Sequence, residues 1–184
     1  MRVITGICRG MRLRSLDGLS ARPTAERVKE GMFSAIQFEI EGRKVLDLFS
    51  GTGQLGIEAL SRGASHAVFV DASKESVQVI RENLQKTGLN QVSTLLQSEA
   101  IAYLDRCREK FGIIFLDPPY QSGMLNSSLK KISEIDILSE SGIIICEYAM
   151  DQPPKVPEGL ELSRTYRYGK TGVALLRRSE RESI

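Results

Sequence analysis

The sequence has little of the raw material for metal chemistry or for histidine-based catalysis. Its 184 residues include one histidine, His66, no tryptophan, and three cysteines, Cys8, Cys107 and Cys146. The cysteines are odd in number, lie far apart, and lack the Cys-x-x-Cys or Cys/His spacing of metal sites. We therefore expect no metal, and three reduced cysteines that serve as small buried apolar residues.

Long apolar runs are also absent. No stretch approaches the ~20 apolar residues that cross a bilayer. The first six residues, MRVITG, reach charge and glycine before any apolar run of signal-peptide length. Together with the unpaired cysteines, these features favour a cytoplasmic protein that makes no membrane contact.

The amino-acid composition and the length of the chain fit one compact domain. Apolar residues make up 41% and charged residues 26% of the chain, with 16 glycines and six prolines, close to globular averages. A chain of this length can bury a core unaided. We expect a monomeric single domain, with a basic N-terminal hairpin and helix in residues 1–40 and the main core in residues 41–184.

The net charge of +2 is unevenly distributed. Residues 1–30 carry +4 and residues 164–181 carry +5, whereas residues 31–163 carry −6. Two basic ends would bind a polyanion if they meet in space. The alternative is scattered, solvated surface charge.

Hydrophobic patterning predicts an α/β fold. Five short apolar runs alternate with helical patterns, which is typical of βαβ units and a doubly wound, mostly parallel sheet. Residues 160–167 and 173–178 flank a glycine-containing turn and predict an antiparallel C-terminal edge, for seven strands in all. Residues 2–5 and 12–16 predict a small N-terminal hairpin, followed by a helix with Thr24 as N-cap. The five runs are 45–49, 67–71, 92–97, 113–117 and 143–148, and the helical patterns are 55–62, 74–87, 99–110 and 124–133.

A glycine-rich segment follows the first strand of the predicted sheet. Gly51, Gly53 and Gly56 satisfy G-x-G-x-x-G between a strand and a helix, and Asp71 ends the next strand, where an acid can bind ribose hydroxyls. This pattern predicts a cofactor that contains a nucleoside. Asp47 lies in the mouth of the loop and favours a cationic group, as in S-adenosylmethionine, over the pyrophosphate of NAD. Capping of the loop amides is an equally compatible role for Asp47.

Asp117-Pro118-Pro119-Tyr120 follows the fourth strand and is the most specific signal in the chain. The two prolines stiffen the segment and leave its carbonyls free to accept hydrogen bonds. Asp117 and the Pro118 carbonyl could accept both N–H bonds of a planar exocyclic amine, while Tyr120 stacks on the base. Because a paired base cannot reach such a site, the target must be extruded or unpaired. The alternative is a Pro-Pro strand terminator with an ordinary surface tyrosine.

These residues resemble an amino-methylating, S-adenosylmethionine-dependent methyltransferase, and more narrowly the RsmD family, which methylates a guanine N2 amine in small-subunit (16S) ribosomal RNA. The resemblance rests on Arg9-Gly10 with RPTAERV at 22–28, on residues 47–64, and on residues 117–120. It implies a Rossmann-like class I methyltransferase fold. It implies catalytic residues Asp117, Pro118, Pro119 and Tyr120, and cofactor-binding residues Asp47, Phe49, Gly51, Gly53, Asp71, Ala72, Glu99 and Ala100.

Two of the implied contacts depart from the family pattern. The family often has Glu where Asp71 stands and Asp where Glu99 stands, so the reach of these carboxylates differs. Glu99 taken alone fits either a contact with the adenine amino group or a cap on the helix that begins there.

The resemblance also implies partners for the basic ends. We expect ribosomal RNA, within the small subunit or its assembly intermediate, to contact Arg9, Arg12, Arg22, Arg27, Arg164, Arg167 and Lys170. Three alternatives stay open: an amino-methyltransferase for another RNA, a DNA base or a protein glutamine; an NAD-dependent oxidoreductase; and a noncatalytic RNA-binding protein.

Overall fold

The computed structural model describes residues 1–16, 23–119 and 123–179. Its helices and strands alternate along most of this length, as the patterning predicts. The helices are α1 (Pro23–Ala35), α2 (Gln54–Ser61), α3 (Lys74–Thr87), α4 (Ala100–Arg106) and α5 (Met124–Ile135). The strands are β1 (Lys44–Asp47), β2 (His66–Asp71), β3 (Ser93–Gln97), β4 (Phe111–Leu116), β5 (Leu138–Ala149), β6 (Leu160–Tyr168) and β7 (Thr171–Arg178).

The seven strands form one sheet in the order β3-β2-β1-β4-β5-β7-β6. Strands β1 to β5 pair in parallel, whereas β7 pairs antiparallel with both β5 and β6. The predicted doubly wound sheet with an antiparallel C-terminal edge is confirmed. Parallel strands end at one edge of the sheet, so the segments after β1, β2, β3 and β4 meet there.

Two apolar layers cover the sheet. On one face, α1 contributes Met32 and Phe33 to a cluster that also holds Ile80 of α3. On the other face, α4 and α5 contribute Leu104 and Leu129 to a second cluster. Every residue of β4 is buried, which explains why its sequence is a continuous apolar run rather than an alternating one.

The N-terminal segment differs from the prediction. The expected hairpin of residues 2–5 and 12–16 is reduced to a single antiparallel bridge between Arg2 and Arg12. The backbone of residues 4–8 bonds to α2 instead: Ile4 N and Thr5 N donate to Glu58, 2.8 and 3.0 Å, and Ile7 N donates to the Ser61 carbonyl, 2.9 Å. These bonds take up the donors that a longer ladder would have used.

Three predicted boundaries also need correction. The first helix begins at Pro23, so Thr24 lies within its first turn and not at the N-cap. Helix α4 ends at Arg106, four residues early, because Cys107 takes an extended backbone. Strand β5 begins at Leu138, since an irregular register lets Leu138 pair with Phe111 before the apolar run starts.

Helix α1 lies close against the C-terminal strands at Gly31. A Cβ on Gly31 would lie 1.8 Å from the Tyr168 hydroxyl oxygen. A glycine inside a helix costs about 1 kcal/mol relative to alanine, and this close approach is the structural reason for it. Lys29 of the same helix donates to the Arg2 carbonyl, 2.7 Å. Helix α1 therefore connects the two basic ends of the chain.

Candidate active site

A cavity of ≈ 790 Å³ opens at the carboxyl ends of β1, β2 and β4. Its lining also includes apolar residues that the sequence patterns do not single out, among them Leu48, Leu55 and Met124. Nine of the residues predicted as functional line it: Phe49, Gly51, Asp71, Ala72, Glu99, Ala100, Asp117, Pro118 and Pro119. The structure thus brings the glycine loop and the Asp-Pro-Pro segment to one cavity.

Glycine is required at the three positions of the loop for different physical reasons. Gly51 and Gly53 have φ of 54° and 78°, in the left-handed region that favours glycine. No atom lies within 4 Å of the position a Cβ would take on Gly51, so the backbone there faces open space. A Cβ on Gly56 would lie 2.3 Å from the ring of Phe69 on β2. The first two glycines therefore shape the turn, and the third lets α2 pack on the sheet.

Asp71 holds the loop from the neighbouring strand. Its Oδ2 accepts from Gly51 N, 2.8 Å, and its Oδ1 accepts from Ser73 N, 2.9 Å. Each carboxylate oxygen can accept a further bond, and Asp71 is half-buried at the cavity wall. The residue is thus placed beside the cavity with acceptor capacity for hydroxyl groups.

Asp47 lies beneath the loop, 2% exposed. Its Oδ2 accepts from Gly56 N at the start of α2, 3.0 Å, so the loop-capping interpretation is confirmed. Burial raises the pKa of Asp47 to about 7; the Gly56 bond opposes this and the charge of Asp71 adds to it. A direct contact between Asp47 and a cationic ligand stays a prediction.

Glu99 occupies the N-cap position of α4 but makes no capping hydrogen bond with its side chain. The capping interpretation is therefore wrong. Its exposed side chain lines the cavity, and the contact with adenine stays a prediction.

Asp117 directly follows β4 and lines the cavity. Strand β4 pairs in parallel with β5 through Leu116 and Cys146, so Asp117 lies beside Glu147. Burial raises the pKa of Asp117 well above its ordinary range, and the negative charges of Glu147 and Asp47 raise it further. A raised pKa favours the protonated carboxyl group, whose carbonyl oxygen can still accept from an N–H donor.

Sequence reasoning missed Glu147. A signal was available, because Glu147 is the second-last residue of the predicted strand 143–148, close to the strand end as Asp117 is in 113–117. Nothing in the local sequence around Glu147 resembles a motif, however, and only the pairing of β4 with β5 shows its position.

The predicted RNA-contacting cations within the described residues are exposed. In the described parts of the chain, none of them forms an ion pair with a carboxylate. The six described ones are Arg9, Arg12, Arg27, Arg164, Arg167 and Lys170. The basic ends meet through α1, which bonds Arg2 on one side and packs against Tyr168 on the other. Arg22 and Tyr120 lie outside the described residues, and their predicted roles stay predictions.

The cysteines are free and buried, as predicted. Among residues 1–16, 23–119 and 123–179, no group of three or more histidine, cysteine or acidic side chains is arranged to hold a metal ion. Within the same ranges, no helix combines the length and apolar character needed to cross a membrane.

Similarity to known proteins extends over the chain. The family model described as conserved hypothetical protein 95 matches residues 1–177. YlbH of Bacillus subtilis, named as a candidate rRNA methyltransferase, is 39% identical over 184 residues, 97% of this chain and 99% of its own. The ribosomal RNA small subunit methyltransferase D of Haemophilus influenzae is 32% identical over 166 residues, 88% of this chain and 86% of its own. The structure of yhhF, a candidate methyltransferase of Escherichia coli, has a TM-score of 0.88 at 30% identity, and covers 98% of this chain and 99% of its own.

Proposed function

Since the chain belongs to the conserved hypothetical protein 95 family, the RsmD family of the sequence resemblance, we propose that it methylates the N2 amine of a guanine in small-subunit ribosomal RNA. Its fold is the class I methyltransferase fold. The observation that carries the proposal is that one cavity contains both the glycine loop and the Asp117-Pro118-Pro119 segment.

The cavity residues fit S-adenosylmethionine. The acceptor oxygens of Asp71 suit the hydroxyl groups of a nucleoside, the open space at Gly51 lets the methionine end approach the backbone, and the acidic lining of the cavity suits a cation. Asp47, Phe49, Gly51 and Gly53 would hold the methionine end, Asp71 and Ala72 the ribose, and Glu99 and Ala100 the adenine. When bound, the cofactor supplies an electrophilic methyl group on a sulfonium.

Asp117 and Pro118 would orient the nucleophile. The lone pair of a guanine amine is delocalised into the ring, so the nitrogen is a poor nucleophile while it stays planar. Hydrogen bonds from both N–H groups, to the Asp117 carboxylate and the Pro118 carbonyl, favour a pyramidal nitrogen. Alignment of this kind supplies on the order of 7–11 kcal/mol in favourable cases. Tyr120 would stack on the base.

The substrate would reach the cavity along the basic surface. Its guanine must be unpaired or extruded, and the exposed arginines on both sides of α1 would contact phosphates. We propose the small ribosomal subunit or its assembly intermediate as the partner, a monomeric enzyme, and the cytoplasm as its location.

A labelling experiment tests the proposed reaction. The protein is incubated with methyl-labelled S-adenosylmethionine and small ribosomal subunits that lack the modification, and the RNA is digested and its nucleosides identified. We expect label in N2-methylguanosine. Label in another nucleoside, or in protein, would reject the guanine assignment. Thermal stabilisation by NAD but not by S-adenosylhomocysteine would favour the oxidoreductase alternative.

Asp117 should affect turnover more than cofactor binding. We expect Asp117→Ala to lower kcat by about 10²–10³-fold, the usual effect of removing one aligned hydrogen bond at a reacting group. Binding of S-adenosylhomocysteine, measured by calorimetry, should change little. Asp105→Ala on α4, where an exposed carboxylate is removed, is the matched control. Equal losses of binding and turnover in Asp117→Ala would contradict the assigned role.

A further inference from the structure

A second cavity adjoins the cofactor cavity on the far side of Pro118. Its volume is ≈ 480 Å³, and Pro118 lines both cavities. Its wall includes polar side chains, among them Glu147, Asn126 and Gln152. The size is within the range of small-molecule sites, about 300–1,000 Å³. A planar group whose amine reaches Asp117 and Pro118 from the side away from the cofactor would enter this cavity.

Glu147 presents its carboxylate beside that of Asp117. Leu116 of β4 pairs with Cys146 of β5, so the next residues along the two strands lie side by side. Neighbouring strands are about 4.8 Å apart. Paired residues of parallel strands point to the same face of the sheet, so the two carboxylates lie on one face, and their backbones are one strand spacing apart.

The chemistry of the bases explains how the pair of Asp117 and Glu147 could select one base. Three standard bases carry an exocyclic amine: guanine, adenine and cytosine. Two ring nitrogens flank the amine-bearing carbon of guanine, and one of them, N1, carries a hydrogen. The single ring nitrogen beside the amine-bearing carbon of adenine or cytosine carries a lone pair. A carboxylate beside the amine acceptor therefore attracts guanine, and repels the lone pair of either other base.

We propose that Glu147 selects guanine by accepting the N1–H of the target base while Asp117 accepts an N–H of its amine. This inference rests on the proposed function and adds to it the residue that reads the base. Two donors on the guanine edge then meet two neighbouring acceptors, and each half-buried side chain gains a hydrogen bond.

The test compares guanine with 2-aminopurine at the target position. 2-Aminopurine keeps the exocyclic amine but has a lone pair at N1. The base is introduced by ligation of a synthetic RNA segment at the guanine found by labelling, and the RNA is assembled into small subunits. We expect the unaltered protein to prefer guanine by about 10- to 100-fold in kcat/KM, the usual effect of one hydrogen bond to a charged group.

Glu147→Gln should reduce this preference. The glutamine amide can donate to the N1 lone pair of 2-aminopurine, so the ratio of the two kcat/KM values should fall at least about tenfold. The substitution is isosteric, and binding of S-adenosylhomocysteine should not change. Glu140→Gln is the matched control, since Glu140 is an exposed residue at the other end of the same strand.

The outcomes separate the two proposals. A Glu147→Gln ratio within about threefold of the unaltered protein would overturn the role of Glu147 while leaving guanine methylation in place. No transfer to guanine by the unaltered protein would instead reject the proposed function.

Discussion

Three aspartates at the carboxyl edge of the sheet show how position separates the roles of one residue type. Asp71 is half-buried, and its oxygens accept two backbone amides at the cavity wall. Asp47 is buried beneath the loop and accepts one amide. Asp117 lies between Asp47 and Glu147 in the order of the strands and lines the cavity. One residue type thus has three roles: Asp71 stabilises the loop, Asp47 is a buried cap, and Asp117 is a proposed substrate contact.

Asp47 should make stability depend on pH. Its pKa is about 7 in the folded protein against an ordinary value of 3.8, so the folded state binds its proton more tightly than the unfolded state. The contribution of the Asp47 carboxyl to the free energy of unfolding is therefore fully present below about pH 4, and it is lost as the pH rises from about 4 to about 7.

Asp47→Asn should remove this loss of stability at higher pH. The asparagine side chain carries no charge, and its amide oxygen can still accept from Gly56 N. We expect the advantage of the variant in the free energy of unfolding to grow between pH 5 and pH 8, by up to about 3 kcal/mol at 1.36 kcal/mol per pKa unit. Urea unfolding at the two pH values measures it. A constant difference between variant and parent would contradict the shifted pKa.

At the scale of elements, the N-terminal segment is held on α2 by a buried polar network. Glu58 is 0% exposed and bonds Ile4 N, Thr5 N and the Arg62 side chain. Lys29 of α1 lies 3.6 Å from the same carboxylate. The segment that carries Arg9 and Arg12 is therefore fixed relative to the cofactor cavity, since α2 begins at the glycine loop.

Substitution of Gly6 tests whether the N-terminal segment packs on α2. A Cβ on Gly6 would lie 1.7 Å from the Ser61 carbonyl oxygen, and its φ is 87°. Gly10 has a similar φ of 82° but nothing within 4 Å. Alanine at either position pays about 1–2 kcal/mol for the left-handed backbone, whereas Gly6→Ala must also displace backbone, at about 1–3 kcal/mol.

Gly6→Ala should therefore lower the free energy of unfolding more than Gly10→Ala does, as measured by denaturant titration. It should also weaken RNA binding if the segment contacts RNA. Equal effects of the two substitutions would show that the segment is not packed on Ser61 in solution.

At the scale of the whole molecule, α1 brings both basic ends to one side of an otherwise acidic chain. Arg12 lies in the N-terminal segment and Arg167 near the end of β6, both exposed. If they contact phosphates, each contact releases counterions and adds about 0.7 to the slope of log K against log salt for a single strand.

Arg12→Ala and Arg167→Ala should each weaken RNA binding and flatten that slope by about 0.7. Filter binding across a salt series measures the slope. Lys130→Ala is the control, because Lys130 is exposed on α5, which covers the opposite face of the sheet. Affinity that does not depend on salt would reject the polyanion interface.

The α/β alternation, the glycine loop and the Asp117-Pro118-Pro119 segment could all be predicted from the amino-acid sequence. These are local patterns, in which backbone preferences and apolar periodicity act over a few residues. Three features are visible only in the folded chain: Asp47 is a buried cap, Glu147 lies beside Asp117, and residues 4–8 bind α2 instead of completing a hairpin. The contacts involved join residues that are far apart in the sequence. Ile4 and Glu58, for example, are 54 positions apart, and such contacts depend on how the layers pack and not on any local preference.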